Sequence, residues 1–177
     1  MAKLELAAAL KRVETVLRRR PDMGLQTDTT ATARWKDGTR VVTHHANGAH
    51  VETDMPAELG GAGDRVSPGW LFRAGIGSCA ATSIVMVAAS AGVTLSTLEV
   101  EVNSRSDARG LFGMTDTDGT PIYPGPNDLR VLVRIGATGV GADRLRELVD
   151  LGMRRSPIPC AVRSAAPMSV QVEVVGH

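Results

Sequence analysis

Aromatic side chains are scarce in this chain of 177 residues: two Trp, two Phe and one Tyr make up 3% of it. A core must therefore come from Ala, Val, Leu, Ile and Met, within an ordinary hydrophobic content of 43%. Charge of one sign is also lacking. Twenty Lys and Arg against 19 Asp and Glu leave a net charge of +1, so no broad field selects nucleic acid or an anionic membrane as a partner. Lysine is confined to Lys3, Lys11 and Lys36. Two cysteines are too few for the disulfide framework of a small secreted protein. A secretory leader is not expected, because Lys3 and Glu5 stand where an apolar segment would lie. His44, His45 and His50 lack Cys or acidic partners at ligand spacing, so no metal site is expected. Asp116-Thr-Asp118-Gly119 lacks the terminal Glu of a calcium loop and reads as a turn. The apolar run from Ala74 to Ala91 carries Gly75, Gly77, Ser78, Thr82, Ser83 and Ser90. It falls short of the sustained hydrophobicity of a membrane span. The expectation is a soluble, cytoplasmic protein with that run buried inside it.

Residues 2–20 repeat Leu4, Leu6, Leu10, Val13 and Leu17 near the helical period, and Pro21 stops the helix. This helix, residues 1–22, reads as an element appended to a single domain over 23–177. From Leu25 to Met55 the period changes to two. Alternation from Thr27 to Trp35, the turns Lys36-Asp37-Gly38 and Asn47-Gly48, and a third segment at Ala49 to Thr53 predict an antiparallel meander. Ser67-Pro68 is a helix-start signature, and Gly92 closes a long helix. Leu95 to Ser104 and Leu129 to Ile135 read as strands. Asp107 to Gly110 reads as a turn, with a further short strand at Leu111 to Met114. Ala142 to Arg154 reads as a helix with Leu145, Leu148, Val149 and Gly152 inward. Ser156-Pro157 opens a short helix carrying Cys160, and Met168 to Val175 alternates as a final strand. The order predicts an α+β domain with a mainly antiparallel sheet around a long central helix. That helix is apolar on most sides, and one small sheet covers only one of them. A homodimer in which two such helices pack together is the economical solution.

Cys79 lies in the small-residue helix, and Cys160 in the Ser156-Pro-Ile-Pro-Cys160 start of another. Two thiols in two helices are the minimum for a cycle of sulfenic acid and disulfide. Free cysteine is also among the most buried residue types, so core filling is the competing reading. A dinucleotide site at Gly75-Ile-Gly77 fails: the third glycine is missing and no strand precedes it.

The motifs resemble the OsmC/Ohr family, the osmotically inducible and organic hydroperoxide resistance proteins. The resemblance rests on Glu58-Leu-Gly-Gly-Ala-Gly63, Ser67-Pro68 with Trp70-Leu71-Phe72, and the small-residue run to Cys79. Asp107-Ala-Arg-Gly110, Leu145-Arg-Glu-Leu-Val149 and Ser156-Pro157-Ile158 add to it. It implies an OsmC-like fold and an intertwined homodimer with active sites at the subunit interface. It also implies thiol-dependent reduction of organic hydroperoxides, a peroxidase of the oxidative stress response, with an external dithiol reductant and no metal, haem or other cofactor. By the resemblance, Cys79 matches the peroxidatic cysteine, whose thiolate attacks the O–O bond. Gly75 and Gly77 are expected to break the helix before it and free N–H groups there. Trp70, Phe72, Phe112 and Met114 are available to line an apolar pocket or to serve as ordinary core or dimer contacts.

Three positions depart from the family pattern. Where the family keeps its resolving cysteine, before the proline, this chain has Ser156, and Cys160 follows one helical turn later. Where the family keeps a glutamate ten residues before the cysteine, this chain has Gly69. The activating arginine of the first hairpin aligns with Lys36, with Arg34 and Arg40 as neighbours, and Lys cannot offer the bidentate fork of Arg. The catalytic set by this alignment is Cys79, Cys160 and Lys36. The alternative is a non-peroxidatic relative that binds a small apolar or electrophilic ligand.

Overall fold

The computed structural model describes residues 2–176, with side chains from residue 5 onward. Its organising element is α2 (Pro68–Ser90). Ser67 opens this helix: its backbone is extended and its hydroxyl accepts the Trp70 N–H at 3.2 Å. Pro68 follows in the first turn, where its missing N–H costs nothing. Gly92, at φ +73°, turns the chain away in a conformation that a side chain resists.

The helix runs unbroken through Gly75 and Gly77, which corrects the expectation that they interrupt it. The packing of α2 outweighs the weak helix preference of glycine, and only at Gly77 is there little room for a side chain. A Cβ on Gly77 would lie 3.3 Å from Val102 Cγ2 and 3.6 Å from the Val100 carbonyl oxygen. A Cβ on Gly75 would lie 3.8 Å from Ile158 Cδ1.

The chain forms two antiparallel sheets, of which the second packs on α2. The first is the meander β1 (Thr32–Asp37), β2 (Arg40–His44) and β3 (His50–Thr53). Trp35 pairs with Val41 across it, and His44 with His50. The first strand begins at Thr32, not at Thr27, because β2 is too short to offer residues 27–31 a partner. The second sheet pairs β4 (Thr97–Arg105) with β5 (Asn127–Gly136), with Val100 opposite Val133. Between them Asp107 caps α3 (Ala108–Leu111), a single turn of helix, by accepting the Arg109 N–H at 3.0 Å. A turn followed by a strand was expected at 107–114. Instead the chain folds back locally, with Phe112 and Met114 N–H groups both bonded to the Arg109 carbonyl at 3.1 Å.

Four elements pack on α2: β4, α4 (Ala142–Arg154), α5 (Pro157–Ser164) and α1 (Ala2–Arg19). By length and apolarity alone α2 passes for a membrane span, and these neighbours are what it faces instead. The core is small. Val87 and Ala88 of α2 meet Leu148 of α4, with Val93, Leu95, Leu145 and Leu151 around them, and Ile76, Ala80 and Ile84 of α2 are buried as well. The tightest crossing is at Gly152, where a Cβ would stand 2.6 Å from Ile84 Cγ1 and 2.8 Å from Ile84 Cα.

Much apolar surface stays uncovered. The periodic stripe of α1 is present, but Val13, Val16 and Leu17 are exposed. So are Trp70, Phe72, Val85 and Met86 of α2. The expected strand at 168–175 is absent, and Val170, Val172, Val174 and Val175 are each 79–81% exposed. An alternating segment becomes a strand only where an edge accepts its backbone hydrogen bonds, and within one chain no edge does.

Candidate functional site

Cys79 sits in the middle of α2, half-buried and unpaired by disulfide. Its sulfur meets the corner between α4 and α5. The Ser156 hydroxyl donates to Cys79 Sγ at 3.2 Å, and the Ile158 backbone N–H donates to the same sulfur at 3.4 Å.

The sequence of the corner explains this arrangement. Ser156 is the N-cap residue of α5, a position where serine ordinarily accepts an N–H from its own first turn. Here it makes no such bond, and its hydroxyl turns to Cys79. Pro157 and Pro159 carry no N–H, and the Cys160 N–H is taken by the Ser156 carbonyl at 3.0 Å. Ile158 is thus the one free donor among residues 157–160, and the sulfur of Cys79 takes the acceptor role that the cap left vacant. Two donors from one corner, a hydroxyl and a backbone N–H, thus fix where the sulfur of Cys79 stands. Ser156 is fully buried, and the donation to Cys79 is its side chain's hydrogen bond.

Cys160 faces elsewhere. Its thiol donates to the Arg154 carbonyl at 3.3 Å, and Arg163 Nη2 lies 3.5 Å from its sulfur. No hydrogen bond joins the two cysteines among the described residues. Lys36 is also distant in role: it lies on exposed β1 with its Nζ 3.5 Å from Glu52 Oε1. Arg40 is held in a clamp with Asp54, through Nε at 3.2 Å and Nη2 at 2.8 Å, and also pairs with Asp64. Asp54 is buried. Hydrogen bonds from the Thr39 hydroxyl, Arg40 and the Ala62 and Met55 N–H groups hold its carboxyl well below the usual carboxylate range. This clamp fastens the meander to the glycine loop at 60–63. Arg34 forms no ion pair among the described residues.

The apolar candidates divide between faces of α2. Phe72, Cys79 and Met86 recur every seven residues and share one face. Ile158 leans over Gly75 on that side. Phe72, Met86 and Ile158 are each about 40% exposed, so the surface around the sulfur is apolar and open. Trp70 instead faces β4. With Arg73, Ala74, Gly77, Ser78, Val100 and Val102 it lines a separate cavity of about 210 Å³. Phe112 is exposed in the loop after α3. Among the described residues, no three His, Cys, Asp or Glu side chains gather in metal-binding range.

Ile158 was missed in the sequence, because its contribution is a backbone N–H. The two prolines flanking it were the available signal.

Comparison with known proteins agrees with the fold. No curated protein matches the chain in sequence. An OsmC-like protein from Mycoplasma pneumoniae superposes with a TM-score of 0.65 at 15% identity, covering 80% of this chain and 92% of the other. The organic hydroperoxide resistance protein OsmC from Legionella pneumophila superposes at 0.57 with 24% identity, covering 78% and 92%. An organic hydroperoxide resistance protein from Elizabethkingia anophelis gives 0.53 at 23% identity, covering 78% and 91%. The family profile described as OsmC-like protein matches residues 61–171, well over half of the sequence and the whole of the Cys79 site. The chain belongs to the OsmC-like protein family.

Proposed function

We propose that this protein is a cytoplasmic, cysteine-based peroxidase that reduces organic hydroperoxides through Cys79, with an external dithiol as reductant. The observation that carries the reading is the pair of donors converging on Cys79 Sγ, from Ser156 and Ile158. Two oriented hydrogen bonds at a helix N-terminus stabilise the thiolate, the nucleophilic form. Phe72, Met86 and Ile158 supply an apolar surface suited to the alkyl part of the substrate. The names of the Legionella and Elizabethkingia neighbours point to the same substrate class.

The reading includes an intertwined homodimer with the site at the subunit interface. The protomer exposes 13,241 Å², against about 8,200 Å² for a compact monomer of its mass. A second copy would cover the open face of α2 and offer an edge to the 168–175 segment. It is also the route by which Lys36 or Arg34 of one chain reaches Cys79 of the other.

Two substitutions favour a second reading, a non-peroxidatic binder of a small apolar or electrophilic ligand: Gly69 at the family's glutamate position and Ser156 at its thiol position. Hydroperoxide consumption separates the two. With cumene hydroperoxide and a dithiol, the parent should turn over and Cys79→Ser should not. A parent that binds hydroperoxide without consuming it supports the second reading.

A further inference from the structure

We infer that Ser156 is the positioning residue of Cys79, and that an oxygen at this place commits the oxidised cysteine to reduction by a thiol from outside the chain. This rests on the peroxidase reading above. The hydroxyl of Ser156 is fully buried and turned away from its own helix. It meets Cys79 Sγ at 3.2 Å, on the same sulfur that the Ile158 N–H reaches at 3.4 Å. The other thiol of the chain is engaged by the Arg154 carbonyl and Arg163.

The chemistry follows from those contacts. The Cys79 thiolate attacks the terminal oxygen of the hydroperoxide. An S–O bond forms as the O–O bond breaks, the sulfur loses two electrons, and the alkoxide leaves and takes a proton to become the alcohol. The side chain hydrogen-bonded to this sulfur carries a hydroxyl, which cannot form a disulfide. Ser156 instead donates to the sulfenic group and keeps it in place. An external thiolate then attacks the sulfenic sulfur, forming an S–S bond as hydroxide leaves and is protonated to water. A second external thiol attacks the mixed disulfide, the Cys79 thiolate departs, and the reductant leaves as its own disulfide.

The test uses Ser156→Ala and Ser156→Cys in the full chain, with each cysteine followed by peptide mass mapping. Ser156→Ala removes one of the two hydrogen bonds to the reacting sulfur. Cys79 should react with iodoacetamide about tenfold more slowly near neutral pH, and the midpoint of its pH profile should move upward. A purely structural serine would leave that profile in place. Ser156→Cys should form a disulfide between Cys79 and the introduced thiol after one equivalent of cumene hydroperoxide. The parent should form no intrachain disulfide and should hold a sulfenic acid until a dithiol is added. A parental Cys79–Cys160 disulfide, or an unmoved alkylation profile in Ser156→Ala, overturns the inference while leaving the peroxidase reading intact. Should hydroperoxide leave Cys79 untouched while the alkylation profile shifts, the peroxidase reading falls, and with it the resolving step.

Discussion

Gly152→Ala tests the crossing that brings the α4–α5 corner onto Cys79. The added Cβ would lie 2.6 Å from Ile84 Cγ1, which a rotamer change can relieve, and 2.8 Å from Ile84 Cα, which it cannot. Carbon atoms rest at 3.5–4.0 Å, so α4 must retreat from α2 by about 1 Å. Overpacking of this kind costs about 1–3 kcal/mol, and the better helix preference of alanine offsets about 1 kcal/mol at most. The net loss of up to about 2 kcal/mol corresponds to a fall in Tm of up to roughly 8 °C for a domain of this size. Gly75→Ala is the control. Its Cβ meets only Ile158 Cδ1, at 3.8 Å, so the variant should match or exceed the parent. Thermal unfolding by circular dichroism at matched protein concentration reads both. Because α4 leads directly into Ser156, Gly152→Ala should also slow alkylation of Cys79. A Gly152→Ala protein that melts at or above the parent temperature would refute the reasoning about the crossing.

Asp54 should make stability depend on acid. Its folded carboxyl titrates well below its unfolded one, so its contribution is present above about pH 4 and is lost as the pH falls further. Asp54→Asn should melt at a lower temperature near neutral pH, and its Tm should fall less steeply than the parent's on acidification. Parallel profiles would contradict this. The proposed dimer predicts two chains per particle in light scattering and a Tm that rises with protein concentration; a stable monomer at micromolar concentration would contradict it.

The elements that signal themselves locally were legible in the sequence. Ser67-Pro68 and Gly92 bound α2 because caps act within a few residues. Ala142 to Arg154 was bounded correctly because its apolar spacing and following Ser-Pro are local too. Features that need a distant partner were not legible. Val170 to Val175 alternate like a strand, but alternation cannot supply an edge. Gly75 and Gly77 carry a weak helix preference, yet α2 runs through both, and only at Gly77 does a neighbour, Val102, leave little room for a side chain. At the site, Cys79 stood out by residue type and resemblance. Serine at 156 was visible as a departure, yet its hydrogen bond to Cys79 depends on how α4 and α5 meet α2. Nothing in the residues near Lys36 or Cys160 announces that one pairs with Glu52 and the other with the Arg154 carbonyl.

The most direct measurement of the central claim is the mass of Cys79 itself. The reduced protein is treated with one equivalent of cumene hydroperoxide, trapped with a sulfenic-acid reagent, and mapped peptide by peptide. A peroxidase acting through Cys79 consumes the hydroperoxide, gains one oxygen on Cys79, and returns to the thiol when dithiol is added. Hydroperoxide that survives alongside an unmodified Cys79 would contradict that claim.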